Sequence, residues 1–282
     1  MQPEEFIFLF QFDALSIPYR KNPDAVIAAF KIAFSSSDPV RLIIKTQNGD
    51  EAKIVMESLH QQIDGARITI WDASLESDDR FRLLSSADVF VSLHRAEGFG
   101  LSLAEAMMLE KPVIATAWSG NMDFMDKESA CLVPYKLVPL DQDYGPYTKG
   151  TLWAEPDISA AAAAMKQLFE DRDYAKKLGQ KAKVHVSSCL SEDAIAALAA
   201  RRIRRLLKVA RPSAELLTDE DASRRPKFTV RLMRVGWRAA RRTIKNPTAI
   251  KPLAVKGIRS LREYGIRRTL VRIYAFFAIR SL

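Results

Sequence analysis

Apolar positions in this chain fall into short dense runs, separated by stretches where they recur every three or four residues. The dense runs are "FIFLFQF" (6–12), "VRLIIK" (40–45), "RITIW" (67–71), "DVFVSL" (88–93), "PVIAT" (112–116) and "ACLVP" (130–134), and each has the length and composition of a buried strand. Between them the spacing turns helical. Asn22-Pro23 opens one helix, whose wide apolar face carries Val26, Ile27, Phe30, Ile32 and Phe34. Others are predicted near 50–63, 78–86 and 102–110. This alternation predicts an α/β fold, a Rossmann-like parallel sheet with helices on both faces.

Residues 135–157, rich in Tyr, Pro and Gly, read as one long loop, and helices follow near 158–170, 171–187 and 191–209. The expected organisation is a domain over 1–209, a polar, proline-bearing linker over 210–226, and a basic helical tail over 227–282 broken at Pro247, Pro252 and Gly257. Charge divides the chain in the same way. From Arg224 onward 17 Lys/Arg stand against one acid, Glu263, while the rest of the chain carries a net −7 within a total of +9.

The tail segment "SLREYGIRRTLVRIYAFFAIRSL" is basic and amphipathic. It has the composition to lie on an anionic membrane surface, with Tyr274, Phe276, Phe277 and Ile279 in the interface and Arg267, Arg268 and Arg272 at the head groups. A junction to a further domain is the other reading of the tail. No recognition module accompanies the charge, so no nucleic acid partner is expected. Cys131 and Cys189 follow no metal or redox spacing, and His60, His94 and His185 are too scattered for a zinc site. No signal peptide opens the chain, and its apolar runs fall far short of a membrane span, so a cytoplasmic place is expected, peripheral at the inner face of the membrane if the tail binds lipid.

The candidate chemistry lies in "EGFGLSLAE" (97–105), where the fourth strand meets its helix. In open parallel sheets ligands bind beyond the carboxyl ends of the strands. Glycines there let the backbone approach an anion, and a helix N-terminus offers free N–H groups and partial positive charge. Gly98 to Ser102 could hold a diphosphate, Glu105 a ribose, and Glu97 the second moiety of the ligand. A dinucleotide fingerprint fails, because Leu103 replaces the third glycine and the motif follows the fourth strand. A glycosidase pair is disfavoured, since Glu105 should face the helix side. A tight turn with a dipole-supporting glutamate remains open on the residues alone.

Glu-x7-Glu around "GFGL" resembles the signature of family 4 glycosyltransferases, retaining enzymes of the GT-B fold. "ALSIPYRKNPDAVIAAFKIAF", "LHRAEGFGLSLAEAM", "KPVIATAWSGNMDF" and "YGPYTKGTLWAEPDISAAAAAM" resemble that family's nucleotide-sugar half in the same order, over roughly residues 5 to 190. The resemblance implies that Glu97 contacts the donor sugar, that Glu105 holds the ribose, and that the backbone of Gly98, Phe99, Gly100 and Leu101, with Ser102, approaches the sugar and diphosphate. It implies that Lys21 neutralises the leaving diphosphate, with no metal and no cofactor beyond the donor, and that substitution proceeds with retention. Many members carry an arginine five positions before this lysine, where this chain has Ser16, and Arg20 is the candidate substitute. Lys45 is a further candidate phosphate contact. Asp123, in the loop with Ser119, Gly120 and Asn121, is a candidate for the sugar or for Lys21. His94 and Arg95 are pocket or structural residues. Tyr144, Tyr147 and Trp153 are expected to pack rather than to form a sugar platform, and the side chain of Asp72, near the expected base position, is not expected to decide binding.

Family enzymes have two such domains, with the acceptor between them. This chain starts almost at the donor half's first strand, so an acceptor half is expected upstream or on another chain, and an adjoining glycosyltransferase domain is the partner expected if the tail is a junction. The implied function is transfer of a sugar from a nucleotide sugar, GDP-mannose favoured on the "WSGNMDF" region, to a glycan or lipid-linked acceptor in polysaccharide or glycolipid assembly. The competing reading is a non-catalytic nucleotide-sugar-binding or scaffolding module.

Overall fold

The first strand shows how the core is divided. In β1 (Phe6–Gln11) the side chains alternate, so Phe6, Phe8 and Phe10 enter one apolar layer while Leu9 enters another. A strand buried on both faces belongs in the middle of a covered sheet. β1 does lie there: it pairs in parallel with β2 (Val40–Thr46) on one side and β4 (Val89–Ser92) on the other. With β3 (Ile68–Asp72), β5 (Val113–Thr116) and β6 (Cys131–Val133) the order is β3-β2-β1-β4-β5-β6, parallel throughout. The structure, a computed structural model, describes residues 5–209, with side chains to residue 206. The linker and basic tail expected over 210–282 lie outside the described residues. No helix among the described residues is long and apolar enough to cross a membrane.

The two layers are covered by different helices. α2 (Pro23–Ala33), α3 (Lys53–Gln62) and α6 (Ile158–Glu170) cover the phenylalanine face, where Phe8 meets Phe30 at 6.1 Å between ring centroids. Full burial of each such ring contributes about 1.5–3 kcal/mol. α4 (Ser77–Ser86), α5 (Leu101–Met108) and α7 (Arg172–Leu190) cover the Leu9 face, and α8 (Glu192–Val209) follows directly on α7. The predicted strands and helices are observed, with ends displaced by a few residues. One expectation is corrected: the supposed loop 135–157 contains an antiparallel hairpin, β7 (Tyr135–Pro139) with β8 (Leu152–Pro156), whose register runs from Tyr135 opposite Pro156 to Pro139 opposite Leu152.

α7 approaches the α5–β5 turn through Gly179. A Cβ at this glycine would overlap the carbonyl oxygen of Glu110 and lie 2.8 Å from its carbon. Alanine ordinarily improves a helix by about 1 kcal/mol over glycine. Here the obstacle is backbone, which cannot move aside, so overpacking dominates and Gly179→Ala is expected to lose about 1–3 kcal/mol. The urea midpoint should fall with no change in slope.

Candidate functional site

Strand order reverses between β1 and β4, so the crevice beyond their carboxyl ends is the switch point of the sheet. Two segments meet there, residues 12–22 after β1 and residues 93–100 after β4. The first contains α1 (Pro18–Lys21), a single helical turn bounded by two residues in the left-handed region, Ile17 at φ 51° and Asn22 at φ 57°. A β-branched residue before proline is strained in that conformation. Asn22 tolerates it better, and its side-chain oxygen accepts from the Ala25 amide at 3.4 Å to cap α2. These two bends turn α1 so that Arg20 and Lys21 reach the second segment.

Glu97 receives both cations. Lys21 Nζ donates to Glu97 Oε2, and Arg20 Nη1 lies 3.5 Å from the same oxygen while donating to the Ala96 carbonyl at 2.9 Å. Arg20 Nη2 also donates to Ser16 Oγ at 3.3 Å, so the guanidinium proposed as a substitute does reach the serine. The Glu97 side chain is only 13% exposed. Burial pushes its carboxyl up, but the charges of Lys21 and Arg20 outweigh this and hold it below the usual carboxylate range. The Glu97 carboxylate is thus paired with two cations.

The backbone of the Glu97 loop is clamped from β5. Ser119 Oγ donates to the Glu97 carbonyl at 2.6 Å, the Gly120 amide donates to the same carbonyl at 2.9 Å, and Ser119 adopts φ 82° to do so. His94, fully buried, holds the loop from below. Its Nδ1 pairs with Ser92 Oγ at 2.9 Å, and its Nε2 lies 3.1 Å from both the Trp118 carbonyl and Asn121 Oδ1. The network assigns an Nε2–H tautomer, and burial lowers the imidazole pKa, so the ring is neutral. Arg95 faces the other way. It makes two bonds to Glu155 of β8, at 2.6 and 3.0 Å, and one to the Tyr19 carbonyl at 2.9 Å. His94 and Arg95 are thus framework residues, and Arg95 ties the hairpin to α1.

α5 begins at Gly100, which sits at φ 91° as its N-cap. The fold itself requires glycine at that position. Gly98 is different: its φ is ordinary, and a Cβ there would meet nothing within 4 Å. It is exposed and faces open space above the helix start. Phe99 turns back onto Phe124, with centroids 5.1 Å apart. Leu101, Ser102 and Glu105 are half-buried in the first turns of α5.

Two predicted contacts, Lys45 and Asp123, make no hydrogen bond or ion pair with this cluster. Lys45, at the carboxyl end of β2, is buried and gives its ammonium to the carbonyls of Thr46 and Ala73, and desolvation lowers its pKa. Asp123 is exposed on the turn Gly120–Asp123. Asp72 accepts from the Gly49 amide at 3.1 Å. Trp153 is buried, with Tyr144 and Tyr147 packed on it at 5.4 and 5.2 Å, as the packing expectation has it. Sequence reasoning missed Ser119 as a backbone clamp and the Arg95–Glu155 tie. Only the positive φ at Ser119, which no local pattern announces, could have pointed to the first.

A crevice at the switch point of a parallel sheet covered by helices on both faces is where open α/β folds bind their ligands. The chain belongs to the family of glycosyl transferases group 1, whose model matches residues 14–185. Its fold is similar to that of HepE from Anabaena, solved with UDP and glucose, at TM-score 0.53 and 20% identity over 72% of this chain and 49% of that one. It is also similar to sucrose-phosphate synthase from Thermosynechococcus elongatus, at TM-score 0.54 and 22% identity over 74% and 47%. TarM matches at TM-score 0.51 and 17% identity, over 70% and 35%. The chain thus spans about half or less of the length of these solved structures. No curated protein matches it significantly.

Proposed function

We propose that this chain is the donor-binding half of a retaining glycosyltransferase of family 4 type, which transfers a sugar from a nucleotide diphosphate to a glycan or lipid-linked acceptor. The observation that carries the reading is the convergence of Arg20 and Lys21 on Glu97 beside the N-terminus of α5. Cations and the amides of a helix N-terminus suit the charge that develops on a departing diphosphate. In this reading Lys21 and Arg20 meet the diphosphate, and Gly98, Phe99, Gly100, Leu101 and Ser102 supply backbone approach. Glu97 orients the sugar, and Glu105 holds the ribose. Asp123 stands at the rim near the sugar. Lys45 serves the pocket wall through its two carbonyls rather than the phosphates.

Mannose carried on GDP is the favoured donor, from the "WSGNMDF" segment, and the acceptor belongs to polysaccharide or glycolipid assembly at the inner face of a membrane. A second half of the enzyme brings the acceptor, because positioning two substrates supplies much of the rate. Calorimetric titration with GDP, UDP and ADP and their common sugars tests the donor. GDP-mannose should bind best; selective binding of a UDP sugar would replace the nucleotide assignment, and no binding of any would overturn the reading. Transfer restored by adding an acceptor half would exclude a non-catalytic scaffold. Retention is read from the anomeric configuration of the product.

A further inference from the structure

Away from the donor crevice, the structure brings together a nucleophile, a base and an acid. Cys189, near the carboxyl end of α7, is half-buried at the margin of the Leu9 core layer. One helical turn earlier on the same face, His185 places Nε2 at 3.6 Å from Cys189 Sγ. Nδ1 of the same ring lies 3.6 Å from Asp126 Oδ2, on the turn preceding β6. The other carboxylate oxygen is fixed from its far side. Asp126 Oδ1 accepts from the amides of Glu128 and Ser129 at 3.0 and 2.9 Å and from Ser129 Oγ at 2.8 Å. Ser129 thereby anchors the carboxylate that faces the imidazole.

We propose that Asp126, His185 and Cys189 form a reactive-thiol site that exchanges with small disulfides. The order acid, imidazole, thiol is the arrangement that activates a weak nucleophile: the carboxylate orients the ring and supports the imidazolium, and the ring takes the thiol proton. Nearby Lys181 and Lys183 are committed to Glu128 and Glu110, at 3.6 and 2.6 Å, which leaves His185 as the base beside the sulfur. In the exchange the Cys189 thiolate attacks one sulfur of the disulfide and forms a new S–S bond. The original S–S bond breaks, and the departing thiolate takes the proton from His185. The products are a mixed disulfide on Cys189 and one free thiol, with the disulfide itself as the only oxidant.

The chain contains its own control. Cys131, the other of its two cysteines, is pushed up to about 11 by burial and has no such partner set; it bonds Tyr174. The test treats the full chain with dithiodipyridine, an uncharged aromatic disulfide, at neutral pH, and follows release of the coloured thiol with peptide mapping of the labelled cysteine. An ordinary thiol is only a few per cent ionised at that pH, so activation has room for about a tenfold gain. Cys189 in the native chain should react about tenfold faster than the same cysteine in the urea-unfolded chain, with Cys131 silent until unfolding. Cys189→Ser should abolish the fast phase. His185→Asn, with folding checked by circular dichroism, should slow it to the unfolded rate or below. A native Cys189 no faster than the unfolded chain would overturn the proposal without any substitution, and so would a fast phase unchanged in folded His185→Asn.

Discussion

In the proposed donor-binding role, replacing Lys21 by alanine is expected to lower sugar transfer, once an acceptor half is supplied, by about a hundredfold or more, the scale for losing one preorganised partner of developing charge. In the chain alone the same substitution should weaken nucleoside diphosphate binding. The reason lies in the two roles of one ammonium. Without ligand it neutralises Glu97, a carboxylate whose side chain is 13% exposed. In the proposed reading it turns to the diphosphate when ligand binds, and Arg20, 3.5 Å from the same oxygen, keeps Glu97 paired. Removing Lys21 leaves Glu97 buried beside Arg20 only, and burial then pushes its carboxyl upward.

The linked effect on stability has a definite sign. In the wild type the Glu97 pKa is depressed relative to the unfolded chain, so its contribution is present above about pH 4.5 and is lost as pH falls through the folded value. In Lys21→Ala that acid-side contribution should shrink or reverse. Urea titrations at neutral pH and at about pH 4 would show the wild type losing more stability on acidification than the variant. Equal losses would mean that Lys21 does not hold the Glu97 charge.

The second large effect is expected at Gly120. Its amide bonds the Glu97 carbonyl at 2.9 Å, and a Cβ on it would overlap the Gly98 carbonyl oxygen and lie 2.6 Å from its carbon and 2.9 Å from Phe99 Cα. Every obstructing atom belongs to the backbone of the binding loop. Gly120→Ala must therefore push the Glu97–Phe99 segment away from Ser119, at about 1–3 kcal/mol in stability. It should also lower nucleotide affinity by more than tenfold, since a displacement of about 1 Å is sufficient to misplace a ligand-positioning group. Gly98→Ala is the informative partner. The protein has room for that methyl group, so its stability should stay within about 0.5 kcal/mol. Any fall in nucleotide affinity would then report a ligand in the open space above it.

These contrasts also show what a linear pattern can carry. The six parallel strands were legible because each is a short apolar run, buried throughout in β4 and β5 and apolar even in the largely exposed β3. The placement of Glu97, Gly98, Gly100 and Glu105 around the start of α5 was legible because a strand-to-helix turn is a local arrangement. The hairpin was not. β7 is largely exposed, and its ladder with β8 is stabilised at a distance, by the Arg95–Glu155 pair and by aromatic packing on Trp153. For the same reason the reach of Arg20 to Ala96 and Ser16 could be suspected but not read. Lys45 looked like a strand-end cation available to a phosphate, and the fold turns it inward onto two carbonyls. A cation's sequence position fixes which strand carries it, whereas its partner depends on how neighbouring strand ends curl.

In the proposed function a nucleoside diphosphate sits between the segment after β1 and the turn that opens α5. Hydrogen exchange of the full chain, with and without saturating GDP and in parallel with UDP, tests it most directly. Slowed exchange is expected in peptides covering residues 13–22 and 97–105 with at least one nucleotide, and loss of that protection in Glu105→Ala. Binding without protection in either segment, or protection confined to another part of the molecule, would contradict it.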